Sequence, residues 1–238
     1  MAALCKELLP QHHQLAVATC EILRSTSAAE VVDKVDRYGM AVMSIFPGDE
    51  MDNLKHTCEV ASFFQYRQNG PGRLNLNCVE LASTPAFQDI MKNEKLVDVI
   101  DRIYKSCGAE KWWWHKSGCG CDVALPHCDS VQKLHSDWSA YPTKSMLGGY
   151  ALCVGVACQD ITEQNGAPRY YTWDVMNTTP YVEESDWSEA PRMTLRKGDV
   201  VFRDCRMAHG GCPNVTDGAR YFVQMQTRTQ QHQHVGIW

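Results

Sequence analysis

Apolar positions recur at helical spacing through the first hundred residues and in short or alternating runs through the second half. Val31, Val32, Val35 and Tyr38 share one helical face and stop at Gly39, a residue suited to follow a helix end. Met40 to Phe46 is then an apolar run of strand length, closed by Pro47 and Gly48. Met51, Leu54, Cys58, Ala61 and Phe64 predict a second amphipathic helix, and Phe87, Ile90, Met91, Val97, Ile100 and Tyr104 a third. Gln68 to Arg73, punctuated by Gly70, Pro71 and Gly72, reads as the loop between them. Strand-like runs follow at Asp122 to Leu125, Gly149 to Cys158, Met193 to Leu195, Val200 to Arg203 and Arg220 to Gln226, separated by turns such as Asn165-Gly166 and Lys197-Gly198-Asp199. Runs of that kind predict an antiparallel double-sheet jelly roll. With no internal repeat and no Pro, Gly or Ser-rich linker, a single α+β domain over 1–238 is expected. Its N-terminal helices, about 1–107, would pack on one sheet of a double-stranded β-helix (jelly-roll, cupin-like) core over about 108–228.

Composition narrows the partners. The chain has 238 residues, 44% apolar and 21% charged, with a formal charge of −5, so no bulk positive field exists to hold nucleic acid. No apolar run approaches the roughly 18 to 20 residues of a membrane span. The opening segment, interrupted early by charge and Pro10, does not read as a secretory signal. A reducing, cytoplasmic setting is therefore expected, with the 12 cysteines as free thiols and a small molecule as the partner. The sequence gives no oligomeric state.

His-x-Asp on a strand puts two metal-binding side chains on one face, because alternate residues point the same way. The chain carries two such triplets, His127-Cys128-Asp129 and His135-Ser136-Asp137. The first follows Pro126 in a turn-like setting; the second sits between Leu134 and Trp138 and is the better strand. His209, at the end of the run that begins at Val200 and followed by Gly210 and Gly211, is the natural third ligand. Two imidazoles and one carboxylate on one side of a metal leave the opposite positions open, as non-haem iron(II) and dioxygen require. Arg220, eleven residues past His209 at the head of the next strand, is placed to clamp a carboxylate with two parallel hydrogen bonds. Iron(II), Asp137, Arg220 and a bound dicarboxylate would together be neutral, which a barrel interior favours. Trp138 and Tyr141, close behind Asp137, are expected to line the same cavity.

At these residues the chain resembles the phytanoyl-CoA dioxygenase-like branch of the iron(II)- and 2-oxoglutarate-dependent oxygenases. The resemblance runs from Tyr38-Gly39-Met40-Ala41-Val42 to Arg220. It is densest at His135-Ser136-Asp137, at Cys158 to Gly166, and at Lys197 to Phe202 leading into His209. It implies His135, Asp137 and His209 as iron ligands and catalytic residues, and 2-oxoglutarate chelating the iron with its far carboxylate on Arg220, Trp138 and Tyr141 nearby. It also implies dioxygen as co-substrate, release of succinate and CO2, and hydroxylation of an unactivated C–H bond in a small or medium organic substrate. An acidic residue at 137 favours hydroxylation over halogenation, since related halogenases have a small residue there.

The chain departs from the family pattern at three places. Gly211 stands where a hydroxyl residue often helps to hold the cosubstrate, Gly155 where a Trp is common, and Ala167-Pro168-Arg169 replaces the usual Pro-Gly-Ser-His segment. A wider pocket floor is expected from the two glycines. Two other readings stay open: a catalytically silent jelly roll that binds a ligand or protein, its cosubstrate pocket remodelled at the two glycines, and a cupin-like metalloenzyme without 2-oxoglutarate, in which Arg220 loses its carboxylate-holding role. His115, Cys119, Cys121, His127 and Cys128 are zinc-type donors, but their irregular spacing reads as free thiols near a barrel rim. Arg73 and Arg169 are lesser candidates for gripping an acidic substrate.

Overall fold

The computed structural model describes residues 21–62, 67–68, 70–76, 79–137, 151–173 and 191–229. Within them the chain runs β1 (Arg24–Ser25), α1 (Ala28–Tyr38), β2 (Met40–Ser44), α2 (Glu50–Ser62), β3 (Arg67–Gln68), β4 (Arg73–Asn75), α3 (Val79–Ala82), α4 (Pro85–Lys92), α5 (Glu94–Ser106) and β5 (Trp112–Ala124). It continues through β6 (Leu152–Val156), β7 (Arg169–Tyr170), β8 (Asp199–Asp204), β9 (His209–Gly210) and β10 (Arg220–Thr229). Helix α1 has local reasons to start and stop where it does. Ser27 accepts from the Glu30 amide while Glu30 reaches back to the Thr26 amide, a reciprocal cap on α1. Gly39, at φ 79°, lets the chain turn out of α1 and straight into β2.

Eight strands form one sheet in the order β1-β2-β8-β6-β10-β5-β4-β3, antiparallel except for the β1–β2 edge. Period-two alternation gives that sheet two different faces. Ala41 and Met43 on β2, Leu152, Val154 and Val156 on β6, Val200 and Phe202 on β8, and Tyr221, Val223 and Met225 on β10 point outward into a core shared with all five helices. The opposite face carries Met40, Val42, Val201 and Phe222, which pack against Ile161, Ala167, Tyr170, Met193, Leu195 and Met207 of the second layer. That layer is assembled from the β7–β9 pair and single bridges at Cys128/Asn214, His135/His209, Ile161/Leu195 and Arg169/Arg192. The two layers close into the expected jelly roll with helices covering one sheet. No helix among the described residues is long and apolar enough to cross a membrane.

Several elements differ from the sequence reading. The expected third helix is two helices, because the Asn93 side chain accepts from the Leu96 amide and caps a new one. The Gln68 to Arg73 loop is the tip of a hairpin, with Arg73 already in β4. β5 begins at Trp112, ten residues earlier than Asp122, since its central Lys116 to Cys119 stretch lacks an apolar alternation. Met193 to Leu195 forms no strand; its last residue, Leu195, and the preceding Arg192 make isolated bridges.

Tyr104 of α5 fastens the helical layer to the sheet. Its hydroxyl lies 2.6 Å from Thr227 Oγ1 on β10 and accepts from the Leu152 amide of β6 at 3.3 Å, all buried. Tyr104→Phe should lower the unfolding free energy by about 1–2 kcal/mol in urea titration, the cost of stripping a buried polar pair. An unchanged midpoint would show that this hydroxyl anchors nothing.

Candidate active site

The inward face of the sheet is unusually polar at one end. β8 carries Arg203 in the inward phase set by Val201, and β10 carries Arg220, Gln224 and Gln226 in the phase set by Phe222. Against them the second layer brings His135 and His209 together: the two residues bridge through their backbones, and their rings lie 4.4 Å apart. Asp137 follows in a bend, and its Oδ1 stands 3.5 Å from His209 Nε2. The ligand atoms of His135, Asp137 and His209 all fall within 4.8 Å of one another, the converging set of metal-type donors among the described residues. His135 belongs to a single bridge rather than a full strand, so the bend at Asp137, not alternation alone, turns the carboxylate to the imidazoles.

Each histidine is oriented in the same way. His135 Nδ1 donates to the Lys133 carbonyl at 2.8 Å and His209 Nδ1 to the Met207 carbonyl at 3.0 Å, in both cases two residues back. The rings are thereby fixed with Nε2 bare and turned to the centre, the tautomer a metal needs. Tyr170 stacks on His209, with ring centroids 5.8 Å apart. Burial, then the nearby Arg203 charge, pushes the His209 pKa down to about 3, so its imidazole is neutral at pH 7 and free to ligate.

Arg203 is the residue that sequence reasoning missed here. It is 2% exposed, and its Nη2 sits 2.5 Å from Asp137 Oδ2, leaving Oδ1 for the centre. Burial, the largest single effect, would raise the Asp137 carboxyl, but the Arg203 charge and hydrogen bond together with the two neighbouring imidazoles outweigh it and hold the group below the usual carboxylate range. The signal was present: a cation in the inward phase of an otherwise apolar strand, Val200 to Arg203, has to meet an anion inside the barrel.

Arg220 is also sealed in the interior, fully buried rather than at a strand-end surface. Its Nη1 binds the Asp122 carboxylate at 2.9 Å and the Asp122 carbonyl at 3.1 Å, while Nε and Nη2 are buried with no partner among the described residues. A second guanidinium joins it. Arg73, 1% exposed, is tied by Nη2 to the Cys212 carbonyl and leaves Nε and Nη1 equally orphaned. Burial, opposed by Asp122 and reinforced by the neighbouring Arg220 charge, lowers the Arg73 pKa. Two orphaned guanidinium edges beside one carboxylate form a cradle for a further anion.

The two glycines that predicted a wider floor do not widen it. A Cβ at Gly211 would fall on the Arg73 guanidinium, so that side chain fills the space where a hydroxyl residue was expected. A Cβ at Gly155 would come within 2.5 Å of the Phe222 ring, which fills the other gap. The expected charge balance also needs correction. Arg73, Arg203 and Asp122 enter the count, and iron(II) with a dicarboxylate would leave one positive charge in excess. His135, Asp137, His209, Asp122 and Gln132 line a cavity of about 90 Å³, room for several waters or the body of a small diacid.

The other candidates fall elsewhere. His127, at φ 54°, pairs with Asp217, and His115 Nε2 lies 3.0 Å from Ser117 Oγ, away from a shared zinc point. Arg169 is buried in β7, not displayed to a substrate at the surface. Trp138 and Tyr141 lie outside the described residues.

A jelly roll with two histidines and an aspartate converging at its mouth, and cationic side chains deeper in, defines a class of metal-centred barrel. The family model described as phytanoyl-CoA dioxygenase matches residues 23–222, and the chain belongs to that family. A search of curated proteins found no match. Among solved structures, HygX from Streptomyces hygroscopicus, crystallised with nickel, 2-oxoglutarate and hygromycin B, superposes with a TM-score of 0.65 at 16% identity, covering 84% of this chain and 87% of its own. AviO1 from Streptomyces viridochromogenes superposes at 0.63 and 16% identity, covering 87% and 96%. The epimerase SnoN, in complex with Fe3+, alpha ketoglutarate and nogalamycin RO, does so at 0.64 and 15%, covering 85% and 83%. These likenesses show the fold, that of the family's double-stranded β-helix enzymes.

Asp137→Ala should cost the metal-free protein about 3–5 kcal/mol, because it strands the buried Arg203 charge, and Arg203→Met should cost less, because the Asp137 carboxylate still reaches solvent. Asp137→Ala combined with Arg203→Met should cost much less than the two singles added, read by denaturant unfolding. Strictly additive losses would mean that the ion pair carries no coupling.

Proposed function

We propose that this protein is an iron(II)- and 2-oxoglutarate-dependent oxygenase that hydroxylates a C–H bond of a small or medium organic substrate, releasing succinate and CO2. The observation that carries the reading is the pairing of two features in one barrel: three converging ligands, two imidazoles and a carboxylate, and two buried guanidinium groups with orphaned N–H donors. Family membership supports it, as does the keto acid bound in the HygX and SnoN structures.

The residues present fit both groups. His135 Nε2, His209 Nε2 and Asp137 Oδ1 would hold the metal on one side and leave its other side open. Arg220 Nε and Nη2, with Arg73 Nε and Nη1, would hold the remote carboxylate of 2-oxoglutarate, whose charge offsets the surplus that Asp122 alone does not cover. When bound, the metal and keto acid supply the oxidising chemistry with dioxygen. The protein's own part is positional: Arg203 keeps one Asp137 oxygen occupied so that the other faces the centre, and Tyr170 and the two backbone carbonyls keep the imidazoles from rotating.

The silent jelly-roll reading needs a cosubstrate floor remodelled at Gly155 and Gly211, and Phe222 and Arg73 filling those gaps argue against it. The keto-acid-free cupin reading leaves Arg220 without a role, and its buried, orphaned Nε and Nη2 argue against that. The three ligands converge at the mouth of the barrel, His209 buried and Asp137 exposed, which suits a small molecule reaching the centre from outside.

Succinate release from 2-oxoglutarate with iron(II) should fall below detection in His135→Ala and in His209→Ala; an undiminished rate in either rejects the ligand assignment. Arg220→Ala should raise the KM for 2-oxoglutarate by about 30-fold or more, as loss of a buried charged hydrogen-bond partner predicts. Arg73→Met should raise it by about tenfold. A KM unmoved in both variants would place the keto acid elsewhere or remove it from the reaction.

A further inference from the structure

The wall of the cavity at the metal ligands is built almost without hydrocarbon. Asn75, Gln132, Gln224 and Gln226 bring four side-chain amides to it, and no Leu, Ile, Val, Phe or Met borders it among the described residues. Small-molecule pockets are ordinarily lined by apolar and aromatic side chains with a few polar groups set among them. This wall has the opposite make-up.

Two of the amides stand beyond the keto acid's anchor. Gln224 and Gln226 continue the inward row of β10 that begins at Arg220. At about 3.3 Å per residue, their Cα atoms lie about 13 Å and about 20 Å from that of Arg220. The four carbon–carbon bonds of 2-oxoglutarate, about 1.5 Å each, span no more than about 6 Å. A keto acid held at Arg220 and at the ligand triad therefore leaves Gln226 uncovered, and it meets Gln224 at most with its metal-binding end.

Both amides are held in place. Opposite Gln226 the β10–β5 ladder is irregular: Gln224 pairs with Gly120 and Gln226 with His115, so Lys116 to Cys119 face Met225 alone. Gly118, in that bulge, has no side chain, and Gln226 Oε1 occupies the space instead, 2.6 Å from where a Cβ would stand. The Gln226 side chain is thereby seated against β5, while its amide has no hydrogen-bond partner among the described residues. Gln224 Oε1 accepts from the Cys153 thiol at 3.4 Å, which fixes that amide and leaves its NH2 group to donate.

We propose that Gln224 and Gln226 select the substrate, and that the substrate is a polar, oxygen-rich molecule rather than an acyl chain. The Gln224 NH2 group donates to a substrate oxygen, and the Gln226 amide, which both donates and accepts, pairs with a neighbouring hydroxyl or amide group of the same molecule. An acyl chain in this place would cover the two amides without answering them, at the desolvation cost of each. Sites built on hydrogen bonds discriminate strongly against ligands that lack the partner group. The proposal rests on the iron and 2-oxoglutarate reading, which makes the ligand triad the reacting centre.

The test uses the full chain loaded with manganese(II), a paramagnetic substitute for iron, and 2-oxoglutarate, with loading followed by electron paramagnetic resonance. Proton relaxation enhancement is then measured for two oxygen-rich probes, methyl α-glucopyranoside and N-acetylglycinamide, and for octanoate and fluorobenzene. At least one oxygen-rich probe should be relaxed more strongly than either apolar one. That enhancement should drop at least tenfold in Gln224→Leu and in Gln226→Leu, which keep the volume and remove the amide, with manganese and 2-oxoglutarate loading retained. Stronger enhancement of octanoate or fluorobenzene, none for either oxygen-rich probe, or an enhancement unchanged in the variants overturns the proposal while leaving the cofactor reading intact. Loss of 2-oxoglutarate loading in either variant assigns the amides to the keto acid and overturns it as well. Failure of the wild-type protein to load overturns both readings.

Discussion

Three guanidinium groups are sealed inside this barrel, and the requirement that each be met by negative charge organises the site. Arg73, Arg203 and Arg220 are at most 2% exposed. A buried cation without a partner costs several kcal/mol, so these side chains persist only where carboxylates are supplied. Asp137 answers Arg203 and Asp122 answers Arg220, which leaves Arg73 in surplus. That surplus, with the orphaned N–H donors of Arg73 and Arg220, favours a further anion. Asp137 has the double duty: one oxygen balances Arg203 and the other faces the imidazoles, so the same carboxylate that stabilises the fold is aimed at the metal position.

The fold supplies this arrangement through alternation. Outward residues of β2, β6, β8 and β10 are apolar and bury against the helices, which lets the inward residues of the same strands be charged or amide-bearing without loss of the core. Stability and chemistry are thereby assigned to opposite faces of one sheet. The histidines come from the thinner second layer, where short bridges and bends replace long ladders, and their orientation is fixed by backbone carbonyls rather than by packing alone.

Much of this was legible in the chain. The helix-then-strand order, the jelly roll, and the trio His135, Asp137 and His209 follow from spacing and from the family resemblance, because His-x-Asp and His209-Gly210-Gly211 are compact local patterns. Arg220 was legible in position but not in burial; its Asp122 partner lies on a strand far away in sequence, and no local pattern links the two. Arg73 read as a loop residue because Gly70, Pro71 and Gly72 mask the start of β4. Gly155 and Gly211 read as open space, yet Phe222 and Arg73 occupy it; a missing side chain shows in a sequence, and the distant one that fills its place does not. The bulge at Lys116 to Cys119 was invisible for the same reason, being defined by its partner strand.

The central claim, that His135, Asp137 and His209 hold a metal over a keto-acid site closed by buried arginines, has one direct measurement. Iron(II) is added to the protein under argon, followed by 2-oxoglutarate, and the visible spectrum is recorded. The account predicts that a weak charge-transfer band grows in with a stoichiometry of one per chain. A spectrum that stays featureless at saturating iron and 2-oxoglutarate would contradict it.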